Sequence, residues 1–107
     1  VGQKGKLAWL EVKNRLIKKE PALAHMTDDI IYFARAIKGV EVALLFKEIK
    51  AGREVRVNLR SRGKVDVNKL AGFFGGGGHK MASGCTLKGS LKDVVDRFIG
   101  EAQRRIL

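Results

Sequence analysis

The chain has 107 residues, room for one domain with a single core and little more. Hydrophobic residues make up 45% and charged residues 31%, the balance of a soluble globular domain rather than a disordered or membrane-embedded one. The longest apolar runs, Ile30 to Ala34 and Val42 to Phe46, are five residues each, against the roughly 20 that a spanning helix needs. The first residue is Val1 rather than methionine and no signal-peptide pattern follows, so a domain excised from a longer chain is expected. One cysteine and two histidines exclude a disulfide framework and the common zinc sites. The lone Cys85 fits a reducing compartment, and a cytoplasmic location is expected.

Lysine and arginine number 22 against 11 acidic residues, a net charge of +11. The excess is uneven: residues 1–49 hold nine basic and six acidic side chains, 50–89 nine and two, 90–107 four and three. The positive field therefore centres on the segment that also carries the run Gly75-Gly76-Gly77-Gly78. A partner bearing phosphate is expected there.

In chain order, Leu7 to Val12 reads as a first strand with Leu7 and Trp9 on one face. Asn14 to Glu20 reads as a helix that Pro21 stops. Thr27 suits an N-cap, with Asp28 and Asp29 at the positive helix end. That helix would bury Ile30, Ile31, Ala34 and Ile37 and close at Gly39. Val40 to Ile49 is apolar enough for a central strand. Lys50-Ala51-Gly52-Arg53 makes a hairpin loop, and Glu54 to Ser61 alternates, Val55, Val57 and Leu59 against Arg56, Asn58 and Arg60. Asp66 would cap a short helix running to Phe74. Cys85 to Lys88 reads as a short strand, and Ser90 with Asp93 as a capping box. The last helix would bury Leu91, Val94, Val95, Phe98, Ile99 and Ala102. The pattern predicts a single compact α+β domain, one central mixed β-sheet of about five strands packed with helices.

The segment from Gly75 to Gly84 reads GGGGHKMASG. Adjacent glycines are poor helix or strand material, but their amides can converge on an anion at close range. Neither the Walker pattern nor the dinucleotide G-x-G-x-x-G finds a register here. His79 directly follows the run. It could donate to a phosphate oxygen, or tie the loop to nearby backbone. Arg60, beside Ser61, is the arginine best placed to fork two phosphate oxygens. Arg56 and the pair Arg104-Arg105 read as solvated surface, and His25 as a loop residue. Clustered carboxylates or histidines that could hold catalytic metals are missing. No nucleophile-elbow pattern supports His79, Ser83 and Asp66 as a triad. No catalysis by this segment alone is expected.

The pattern G-G-G-H-x-x-A-[AS]-G, preceded by Arg60-Ser61 and by Val67-Asn68, resembles the C-terminal DHH-associated domain of Asp-His-His phosphoesterases. The likeness is greatest to their NrnA-like oligoribonuclease subgroup within the wider RecJ-related superfamily, whose members also act on 3′-phosphoadenosine 5′-phosphate. It extends through the segment from Ile37 to Leu44 and the Gly89-Ser90-Leu91 helix start. Ser83 stands where many members carry alanine. The stretch Asp29-Ile30-Ile31-Tyr32 lacks a glycine and an asparagine expected in that subgroup.

The resemblance implies a substrate-binding domain facing an upstream domain that holds manganese. The substrate-binding residues it implies are Arg60, Ser61, Gly75, Gly76, Gly77, Gly78, His79, Ala82, Ser83 and Gly84, with no metal or other cofactor bound by residues 1–107. Expected partners are short RNA or nucleotide phosphates and the upstream domain of the same chain. A homodimer is left open and no membrane is expected. The alternative is an RNA-binding module of the kind that ends alanyl-tRNA synthetases, without a hydrolytic role.

Overall fold

Six strands form one mixed sheet in a computed structural model that describes residues 2–25, 32–34 and 36–106. The strands are β1 (Gly2–Lys4), β2 (Leu7–Val12), β3 (Val42–Lys50), β4 (Glu54–Ser61), β5 (Gly77–His79) and β6 (Ala82–Lys88). They lie in the order β1-β2-β3-β4-β6-β5, and only the β2–β3 pair is parallel. The helices are α1 (Asn14–Lys19), α2 (Val67–Phe73) and α3 (Leu91–Ile106), with a 3-10 turn at Pro21–His25. Residues 32–34 and 36 are also helical.

The fold is the expected α+β domain with one mixed sheet, whose six strands are the four read individually from the sequence extended by two short segments. One is β1; the other, β5, is built from half of the glycine run, where a loop was expected. β6 also starts at Ala82, three residues before the expected start at Cys85. In both places pairing to a neighbouring strand overrides the weak strand preference of glycine and alanine.

Caps form where short polar residues precede apolar runs. The Asp66 carboxylate accepts from the amides of Asn68 and Lys69 at the start of α2, and Ser90 Oγ accepts from the amide of Asp93 at the start of α3. Each such cap contributes about 1 kcal/mol. The proposed cap at Thr27, with Asp28, Asp29, Ile30 and Ile31, lies outside the described residues.

Alternation divides the strands between two cores. Leu7, Leu44, Phe46, Val57 and Leu59 meet Leu70 of α2 and the α3 stripe Leu91, Val94, Val95, Phe98, Ile99 and Ala102. Phe98 is the hub: it stands edge-on to Phe46 at 5.6 Å and stacks on Phe74 at 4.3 Å. On the other face a smaller cluster joins Val12, Ala43 and Leu45 to Leu10, Ile17, Leu23, Phe33 and Ala34. That second cluster draws only on β2 and β3 among the strands. The opposite half of the face, over β4, β6 and β5, is left to polar side chains.

Candidate functional site

The strand registers decide which side chains share this polar half. Arg60 stands opposite Ala43 on one side and Ala82 on the other, and Ala82 stands opposite His79. Cross-strand partners project to the same face, so Ala43, Arg60, Ala82 and His79 form one row. An alanine on each side leaves a hollow around the guanidinium. Two rows along, Arg56 lies between Lys47 and Thr86.

The hollow continues into a cleft of about 550 Å³ lined by Ala34, Glu41, Arg60, Ser61, Arg62, Met81 and Ala82. Arg60 donates from Nη1 to the carbonyl of Leu59 at 2.9 Å, which fixes the plane of the guanidinium while other N–H groups remain to donate. Ser61 Oγ accepts from the amide of Gly63 at 3.0 Å, and the Ser61 amide donates to the carbonyl of Met81 at 2.9 Å. The Ser61 hydroxyl donates to no acceptor among the described residues. Arg62 is tied by Nη2 to the carbonyl of Ala34 at 2.9 Å. The exposed His79 imidazole has no hydrogen-bond partner among the described residues, so the expected alternative of a histidine tying down the loop is not what the fold uses it for. The main chain does that work: Ser83 Oγ donates to the carbonyl of His79 at 2.7 Å.

The glycine run departs from the expected anion cradle. The amides of Gly75 and Gly76 donate to the carbonyls of Gly72 and Ala71, closing the end of α2. The amide of Gly78 donates to Asn68 Oδ1 at 3.0 Å. The amides of Gly75, Gly76 and Gly78 are thus occupied within the domain, and Gly77 lies in the ladder with β6. What the glycines supply is close approach. A Cβ on Gly76 would collide with the carbonyl oxygen of Gly84 and with Cys85 Cβ, and one on Gly78 would lie 2.7 Å from the carbonyl oxygen of Ala82. Main chain can therefore lie directly on β6, which brings His79 into the arginine row. Buried Ser83 opposes Leu59, on the core side of the strand.

Gly84 has a separate use. A methyl there would run into Arg56 Nη2, so the Arg56 guanidinium lies across the glycine, with Nη1 donating to Thr86 Oγ1 at 3.3 Å. Arg56 thus belongs to the cationic face, although its place in an alternating strand reads as solvated surface. Nothing in the sequence signals this, because the seat depends on which residue of β6 lies beside Arg56. Burial, and then the neighbouring Arg56, lower the pKa of Lys47. Burial pushes the Cys85 thiol up to about 11, and Arg56 only partly opposes the shift. Among the described residues no three of His, Cys, Asp and Glu come together as a metal site.

Fold and site together define a small α+β domain with an open cationic sheet face suited to anionic groups. The chain belongs to the DHHA1 domain family, whose model matches residues 12–106. It is 37% identical over 81 residues to the bifunctional oligoribonuclease and PAP phosphatase NrnA of Thermus thermophilus, covering 76% of this chain and 24% of that protein. It is 44% identical over 50 residues to the oligoribonuclease NrnB of Bacillus subtilis, covering 46% of this chain and 12% of that one. The chain thus spans a quarter or less of each of these curated relatives. In fold it is similar to an exopolyphosphatase-related protein of Bacteroides fragilis, with TM-score 0.70 and 24% identity over 91% of this chain and 28% of that one. It is similar also to the pGpG-specific phosphodiesterase PggH of Vibrio cholerae, with TM-score 0.60 and 15% identity over 97% and 35%.

Proposed function

We propose that this domain holds the phosphate and nucleoside of a short oligoribonucleotide, or of 3′-phosphoadenosine 5′-phosphate, for a metal-dependent phosphoesterase. The observation that carries the reading is the row of Arg60 and His79 separated by Ala82, at the border where the second apolar cluster ends and the polar half of the sheet face begins. Arg60 forks two phosphate oxygens, Ser61 donates its hydroxyl proton, and His79 donates from a ring nitrogen. Arg56 and Lys47 add positive charge two rows away. Gly75 to Gly78 and Ser83 act by holding the β5–β6 hairpin against the sheet, and Gly84 by seating Arg56.

The relatives' names support the substrate class. In this reading an upstream domain of the same cytoplasmic protein carries manganese, which would supply the activated nucleophile and neutralise charge at the scissile bond. The present chain aligns the substrate, which lowers the entropic cost of reaction. The test is calorimetric titration of the chain with the dinucleotide pApA and with 3′-phosphoadenosine 5′-phosphate. Arg60→Ala is expected to weaken binding by about 1.5–3 kcal/mol, the range for a hydrogen bond to a charged group. Unchanged affinity would remove Arg60 from the site and the reading with it.

A further inference from the structure

The cleft beside Arg60 contains one feature that phosphate binding does not use. Glu41 lines it together with Arg60 and Arg62. The main chain of Glu41 is fixed immediately before β3: its amide donates to the carbonyl of Lys6 at 2.8 Å, and its carbonyl accepts from the amide of Arg62 at 3.0 Å. Strand alternation places its side chain on the same face as Ala43 and the arginine row. Its carboxylate forms no ion pair or hydrogen bond among the described residues. In a chain with twice as many cations as anions, an acid that lines one cleft with two arginines and pairs with neither is conspicuous.

A carboxylate repels phosphate and only accepts hydrogen bonds. It can accept two at once from adjacent donors. Building on the nucleotide-phosphate reading, we propose that Glu41 is a specificity-determining residue that recognises a pair of adjacent donors on the nucleoside. Such a pair is offered by the ribose hydroxyls or by the N1–H and N2–H edge of guanine. The charge pattern then orients the ligand. Phosphate lies over Arg60 and His79, away from Glu41, while the nucleoside lies toward the strand ends, where exposed Met81 gives it an apolar wall.

The test is calorimetric titration of the wild-type chain and of Glu41→Gln with GMP, dGMP, AMP, dAMP and inorganic phosphate. Gln keeps the shape but replaces one acceptor by a donor. Wild type is expected to prefer one class by about tenfold, as loss of a hydrogen bond to a charged group would give. Ribonucleotides over deoxynucleotides identifies the hydroxyls; guanine over adenine, whatever the sugar, identifies the base edge. Glu41→Gln is expected to bring all four nucleotides within about twofold of one another and to tighten inorganic phosphate, since a repelling charge is gone. A purely structural role for Glu41 would weaken all five alike. A preference that survives in Glu41→Gln, or equal binding of the four by wild type, overturns the assignment while leaving the phosphate site standing. Failure of wild type to bind any of them overturns both.

Discussion

Gly76→Ala separates two uses of the glycine run, close packing of main chain and clearance for a ligand. Gly76 has no positive φ, so alanine meets no backbone strain and the effect is steric. The new methyl falls on the carbonyl oxygen of Gly84 and on Cys85 Cβ, neither of which can rotate aside. β5 must move off β6, loosening the pairs Gly77–Gly84, Gly78–Ser83 and His79–Ala82. Overpacking of this kind costs about 1–3 kcal/mol, and stiffening of the unfolded chain returns roughly 0.4–1 kcal/mol. A net loss of about 1–2 kcal/mol should lower the melting temperature by about 5–15 °C in a domain of this size. Gly72→Ala is the control: it lies in α2 with open space around the added methyl, and should gain about 0.5–1 kcal/mol. Thermal unfolding followed by far-ultraviolet circular dichroism reads both. If Gly76→Ala melts like wild type yet loses nucleotide affinity, the glycine is kept clear for the ligand and the packing argument fails.

Two further outcomes concern neighbouring residues of β6. Gly84→Ala displaces the far end of a flexible side chain, Arg56, so the fold should survive while nucleotide affinity falls by about tenfold, and Arg56→Ala should add little on top of it. Additive losses in the double variant would show that the two act separately. The Cys85 thiol ionises near 9.0 unfolded and at about 11 folded, so the unfolded state loses its proton first. Stability should therefore fall as pH rises from 9 to 11, by about 3 kcal/mol in all. Lys47, whose pKa is lowered in the fold, works in the opposite direction and is common to both proteins compared. Urea titrations of wild type and Cys85→Ala across that range should show the steeper fall in wild type; parallel curves would refute the assignment.

Local patterning by itself determined much of this domain. The period of the apolar residues specified α3 and its buried face from Leu91 to Ala102, and strict alternation specified which side of β4 carries Arg56 and Arg60, because helix and strand geometry convert spacing directly into a face. Caps at Asp66 and Ser90 were equally legible, being made within a few residues. The glycine–histidine motif falls on the β5–β6 hairpin. Three things were decided only in the folded chain. The amides of Gly75, Gly76 and Gly78 turned inward, because carbonyls of α2 and the side chain of Asn68 lie within reach. Arg56 gained its seat because register sets Gly84 beside it. Glu41 came to line one cleft with Arg60 and Arg62 because β3 and β4 pair with their ends aligned. None of the three can be read from the residues' own spacing, since hydrogen-bond partners and strand register are properties of chains already packed together.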